Sequence, residues 1–114
     1  MQTHGVDEPS KSATPFYLAT AAAAMDMEVG IYFTMHGPTL LQKSIQDTLT
    51  AKQGGAPLAT FIKQAQDIGV RFLVCQPSLD LNDLAMDDLI DGVEMIGGAA
   101  FNDMAAEADA VISF

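Results

Sequence analysis

Two short runs constrain the fold more than any other feature of the chain. Glu28 to Met35 (EVGIYFTM) and Val70 to Cys75 (VRFLVC) are mostly apolar and rich in β-branched and aromatic residues. That is how strands buried on both faces read. Such strands belong to parallel sheets, whose neighbours must be joined by long crossovers, usually helical. The sequence between and around the runs supplies helical patterns of the right length.

Phe16 to Met25 predicts a helix, with Pro15 as its first residue and Thr14 as its cap. The alternative is a start near Pro9 with a bend at Pro15. Its run Ala21-Ala22-Ala23-Ala24 has high helix propensity and side chains small enough for close approach to a sheet. His36-Gly37-Pro38 ends the first strand. Leu41, Ile45 and Leu49 then recur at helical spacing, predicting a helix over 39–49, and residues 50–56 read as a loop. Pro57 stands at a first helical position, followed by one apolar stripe of Leu58, Phe61, Ile62, Ala65 and Ile68. Gly69 stops that helix.

Beyond Cys75, Gln76-Pro77-Ser78 breaks the second strand. Leu79 to Leu84 is ambiguous and reads at most as one helical turn. A short turn with Asp87 as cap follows at 86–90. Val93 to Ile96 predicts a short strand, Gly97-Gly98 leads into a helix over 99–108, and Ala110 to Phe114 predicts a last strand. This makes four strands, or five if Met1 to His4 is the stub of another. Helices separating most of the strands indicate an α/β fold with a mostly parallel sheet and helices on both faces.

At 114 residues, the chain fits one domain, 1–114, with room for a real but small core. Its fifteen acids against five bases give a net charge of −10, which repels phosphate backbones and anionic membranes and argues against nucleic acid as a partner. From Asp80 to Asp109 there are acids but no Lys or Arg, so this stretch is either a solvated face or a docking surface for a basic partner. The longest apolar run, Ala21 to Met25, is too short to span a bilayer, and no secretory signal is seen at the start. The single cysteine cannot form an internal disulfide or a multi-cysteine zinc site, and it suits a reducing cytosol. The seven methionines suit an adaptable core or a subunit contact.

Ligands of open parallel sheets bind beyond the carboxyl ends of the strands. His4, His36, Cys75 and Gly97-Gly98 all fall at such ends, so the only Cys and both His of the chain share one edge. Cys75 reads either as a small core residue or as a reactive thiol. A helix starting near Ser78 would aim backbone N–H groups at the sulfur and lower its pKa. His4 and His36 read either as loop residues or as partners of Cys75 in nucleophilic chemistry. A His/His/Cys metal site has no supporting spacing motif, and no metal is assigned. Gly54-Gly55 and Gly97-Gly98 lack a phosphate-cradling pattern. Asp87-Asp88 reads as helix capping.

Four stretches carry a family likeness: THGVDEP at 3–9, PFYLATAAAAMDMEVGIYFTMHG at 15–37, VRFLVCQPSLDL at 70–81 and DDLIDGVEMIGGAAFNDMAAEADAVISF at 87–114. In their order and spacing they resemble the DsrE/DsrF-like group of small sulfur-relay proteins. The resemblance implies a three-layer α/β/α sandwich and a homo-oligomer, a trimer or a hexamer. It also implies a persulfide-bearing cysteine after the middle strand, where Cys75 stands in FLVCQP. Gln76, Pro77, Ser78, His4, His36, Gly97 and Gly98 are the expected supporting residues. Relatives usually have a full apolar strand before the THG-like turn, where only Met1 and Gln2 stand here, and many have Gly at the place of Asp26. The implied function is a sulfane-sulfur carrier that exchanges sulfur with a donor or acceptor protein and needs no cofactor. The alternative is a non-catalytic oligomeric module that binds a small ligand at the same edge and keeps Cys75 as a structural residue.

Overall fold

The computed structural model describes residues 1–114. Three strands, β1 (Gly30–Phe33), β2 (Arg71–Cys75) and β3 (Val93–Ile96), form a parallel sheet in the order β1-β2-β3. Four α-helices accompany them: α1 (Thr14–Ala24), α2 (Leu58–Asp67), α3 (Gln76–Leu81) and α4 (Gly98–Glu107). The register pairs Tyr32 with Leu73, and Leu73 with Glu94; one step from the edge, Cys75 pairs with Ile96.

The α/β class and the parallel sheet are as expected, but the sheet has three strands, not four or five. Ala110 to Phe114 is not a strand. Its end does lie along the first residues: Phe114 N–H donates to the Met1 carbonyl at 2.8 Å, and Thr3 N–H donates to the Phe114 carbonyl at 2.9 Å. Gln2 in turn forms a single parallel bridge to Phe33. These segments extend the hydrogen bonding past β1 but are too short to form a ladder.

A further departure lies at 39–49. The structure has a 3-10 turn over Gly37–Leu41, and the backbone becomes extended at Gln42. Gln42 bridges antiparallel to Leu89, Lys43 N–H donates to the Asp88 carbonyl at 3.0 Å, and Ile90 N–H donates to the Leu41 carbonyl at 2.9 Å. Pairing with the 88–90 loop overrides the helical spacing of Leu41, Ile45 and Leu49. Gln76-Pro77-Ser78 ends β2 as expected and also opens α3, two residues before Ser78, because proline is well accommodated in a first helical turn. Pro57 caps α2 rather than starting it, and Thr14 is inside α1, not its cap.

Alternation along the strands splits the sheet into two unequal faces. Ile31 and Phe33 of β1 and Phe72 and Val74 of β2 face α1 and α2. Together with Phe16, Ile62 and eight others they form a core cluster of 14 buried residues. Phe16, Phe33 and Phe72 pack ring against ring, with centroids 5.5 to 5.8 Å apart, in the tilted and edge-on geometries that aromatic quadrupoles favour. Helix α2 reaches them with Leu58, Ile62 and Ala65 of its stripe, all buried, whereas Phe61 is half-buried and Ile68, at the helix end, is exposed. On the opposite face lie Tyr32, Leu73, Cys75, Glu94 and Ile96. On that face the ring of Phe101 from α4 stacks on Tyr32 at 4.1 Å and 19°.

Two glycines set how the strand ends cross. A Cβ on Gly5 would collide with the His36 carbonyl oxygen and Thr39 Oγ1, and one on Gly37 with the Gln2 carbonyl oxygen. The two His-Gly turns therefore pack backbone on backbone. Asp26 has a left-handed backbone at φ 64°, a conformation that glycine adopts without a steric penalty.

Candidate functional site

Cys75 is the last residue of the central strand and the N-cap of α3. The chain thus turns from strand to helix at the sulfur-bearing residue, and the first residues of α3 lie beside it. Cys75 is free and half-buried. Ser78, the third residue of α3, is buried beneath the turn. Its Oγ accepts a hydrogen bond from Met35 N–H at 2.8 Å and pairs with Thr34 Oγ1 at 3.2 Å. A serine hydroxyl has one proton and two lone pairs. When Thr34 donates to Ser78, the Ser78 proton is left for the sulfur.

The sulfur makes no capping hydrogen bond in the resting geometry; its neighbours instead alter the balance between thiol and thiolate. Burial by itself pushes the Cys75 thiol up. The Ser78 hydroxyl, the Tyr32 hydroxyl, the Ser78 backbone N–H and the Thr34 hydroxyl outweigh that effect and hold the thiol below its ordinary value. Burial first, and the neighbouring sulfur second, push the Tyr32 phenol well above its ordinary range. Tyr32 consequently stays protonated and serves as a donor. A thiolate stabilised in this way is the nucleophilic form of cysteine.

The backbone next to the site is strained and clamped. Met35 adopts φ 52°, a left-handed conformation that costs a bulky residue roughly 1–2 kcal/mol. Both of its backbone polar groups are held by α3: its N–H by Ser78 Oγ, and its carbonyl by Asn82 Nδ2 at 2.7 Å. Asn82 Nδ2 also donates to the Ser78 carbonyl at 2.6 Å, which fixes the amide orientation. Asn82 Oδ1 therefore accepts from His36 Nδ1 at 3.0 Å, and Nδ1 carries the proton.

The expected site residues separate accordingly. Ser78 joins Cys75. Gln76 and Pro77 form the exposed first turn of α3. His36 is engaged by Asn82, at the far end of α3 from the cysteine. His4 faces Lys11 and Glu8, with Nε2 3.4 Å from Lys11 Nζ and 3.7 Å from Glu8 Oε2. Gly97 and Gly98 follow Ile96, the β3 partner of Cys75, and cap and begin α4 in open space. No cluster of three or more His, Cys, Asp or Glu side chains is arranged to hold a metal ion.

The model of the DsrE/DsrF-like family matches residues 1–114. The chain belongs to the DsrE/DsrF-like family. Among curated proteins, the sulfur carrier protein DsrE2 of Allochromatium vinosum is 29% identical over an alignment that covers 83% of this chain and 84% of that protein. Among solved structures, MTH1491 of Methanobacterium thermoautotrophicum, a protein of unknown function, aligns with a TM-score of 0.61 and 19% identity. The alignment covers 88% of this chain and 86% of that one, and the likeness is one of fold.

Sequence reasoning on this DsrE/DsrF-like chain missed Tyr32, Thr34, Asn82 and Phe101. Tyr32 and Thr34 left a partial signal, as the hydroxyl-bearing residues of EVGIYFTM at alternate positions, but their place beside Cys75 depends on strand register. Asn82 and Phe101 had none, because their roles depend on how α3 and α4 dock.

Proposed function

We propose that the protein is a sulfane-sulfur carrier that holds a persulfide on Cys75. The observation that carries this reading is the free, half-buried cysteine at the junction of the central strand and α3, beside the buried Ser78, where the neighbouring hydroxyls hold the thiol below its ordinary value. Membership in the DsrE/DsrF-like family and the likeness to a sulfur carrier support it. In loading, the Cys75 thiolate attacks the outer sulfur of a donor persulfide, R–S–SH. A Cys75–sulfur bond forms, the donor S–S bond breaks, and R–S⁻ leaves with the electron pair; the proton stays on the transferred sulfur. In unloading, an acceptor thiolate attacks the outer sulfur of Cys75–S–SH and Cys75 leaves as the thiolate. Each exchange is balanced without an outside oxidant or reductant.

The carrier works as a homo-oligomer, a trimer or a hexamer, in the cytoplasm. In support of assembly, the outer side of α1 and α2 carries exposed Tyr17, Leu18, Met25 and Ile68 beside an open groove of about 570 Å³. No helix is long and apolar enough to cross a membrane. Sedimentation velocity checks the assembly; a protomer-sized species alone at micromolar concentration removes that part of the reading.

The carrier role is tested by intact mass spectrometry after incubation with a small-molecule persulfide donor. The expected result is a one-sulfur adduct on the wild type that is lost in Cys75→Ser, with folding nearly unchanged because the two side chains are close in size. An adduct that persists in Cys75→Ser, or a wild type that never loads, overturns it.

A further inference from the structure

Helix α4 is attached thinly. Of its residues only Phe101 and Ala105 are half-buried; the rest are exposed. None of its side chains belongs to the buried core cluster. Its closest aromatic contact is the stack of Phe101 on Tyr32, at 4.1 Å and 19°. It is joined to β3 through Gly97 and Gly98, neither of which has a neighbour that a Cβ would meet, so nothing braces the connection from outside.

The residue that Phe101 covers is the one that reaches the sulfur. Tyr32 pairs with Leu73, so Cys75 lies two residues further along β2 on the same face, at the diagonal distance a tyrosine side chain spans. Tyr32 is buried and shares the sheet face of Cys75, whose sulfur is, after burial, a cause of the raised phenol pKa. The other groups around the sulfur are uncharged: the Ser78 hydroxyl and N–H from α3, and the Thr34 hydroxyl from the end of β1. On β3 the partner of Cys75 is the apolar Ile96. Glu94, the carboxylate on that face, is paired with Arg71 at 2.8 Å toward the opposite edge.

We propose that Phe101 is a positioning residue for Cys75: by stacking on Tyr32 it holds the phenol hydroxyl toward the sulfur, so that the docking of α4 sets how readily Cys75 reacts. This deepens the carrier reading and rests on it for its meaning in sulfur transfer. Its test needs no sulfur donor and is separable from that reading.

The test is the rate of Cys75 alkylation by iodoacetamide as a function of pH, in the wild type and variants, with thermal melts as a check on folding. Tyr32→Phe keeps the stacked ring and removes the hydroxyl; it raises the apparent midpoint and slows alkylation at neutral pH by about threefold or more. Phe101→Leu keeps apolar cover and removes the stack; it moves the midpoint in the same direction by less. Phe101→Tyr preserves the stack and restores the wild-type profile. In the double variant, Phe101→Leu adds nothing to Tyr32→Phe, because it acts through the missing hydroxyl. The proposal is overturned if Phe101→Leu leaves the midpoint at its wild-type position, or if its effect persists in full without the Tyr32 hydroxyl. Failure of the wild type to take up sulfur would remove the carrier reading and leave these profiles standing.

Discussion

The two faces of the sheet are built to different standards. One is sealed by α1 and α2 over the Phe16–Phe33–Phe72 trio, inside a cluster of 14 buried residues. The other carries a single aromatic stack, Phe101 of α4 on Tyr32, and leaves Cys75 half-exposed. Close packing leaves no path to a reacting atom. A sulfur that must meet a partner's sulfur cannot sit on the first face. On the second, Tyr32 is anchored by a strand whose other face, Ile31 and Phe33, is locked in the core, and Ser78 is held buried in α3.

This contrast predicts unequal costs. Phe72→Ala, on the sealed face, should destabilise by about 3–5 kcal/mol, the usual cost of removing a buried phenyl ring. Phe101→Ala, on the sparse face, should cost less than about 1.5 kcal/mol, since the ring is only partly withdrawn from water. Urea unfolding of the two variants compares them directly, and equal losses would break the contrast.

Gly37→Ala comes next. Its new methyl meets the Gln2 carbonyl oxygen, and the backbone must shift, at a cost of about 1–3 kcal/mol by the same measurement. The smallest effect has the opposite sign. Asp26→Gly releases a left-handed residue and should raise stability by no more than about 1 kcal/mol, after the entropy that glycine adds to the unfolded chain. A loss there would mean that the Asp26 side chain contributes something its backbone conformation does not reveal.

The sealed face was legible in the sequence. The apolar runs marked β1 and β2, the stripe from Leu58 to Ala65 marked α2, and Cys75 was placed correctly at the end of a strand. What escaped depended on tertiary competition. Leu41, Ile45 and Leu49 have helical spacing, yet Gln42 pairs with Leu89 instead. Pro77 marks the end of β2, but that α3 starts directly at Gln76 and runs to Leu81 was not readable from Leu79 to Leu84. Ala110 to Phe114 has strand composition, but only its end is paired, with Met1 and Thr3. On the sparse face, His4 and His36 looked chemical because of residue type, whereas Tyr32 and Thr34 surround the sulfur because of register, which no single stretch of sequence displays.

Activation of the sulfur by the sparse face has a signature in pH. A thiol whose pKa is lowered by folding contributes stability that is fully present above its unfolded value, about 8.5. That contribution is lost as pH falls through the lower native value. The direct measurement is the pH midpoint of Cys75 alkylation in the wild-type protein, native and urea-unfolded. The native midpoint should lie below the unfolded one, as the donors from Ser78, Tyr32 and Thr34 require. A native midpoint at or above the unfolded value would mean that burial outweighs the donors, and Cys75 would then be a structural residue.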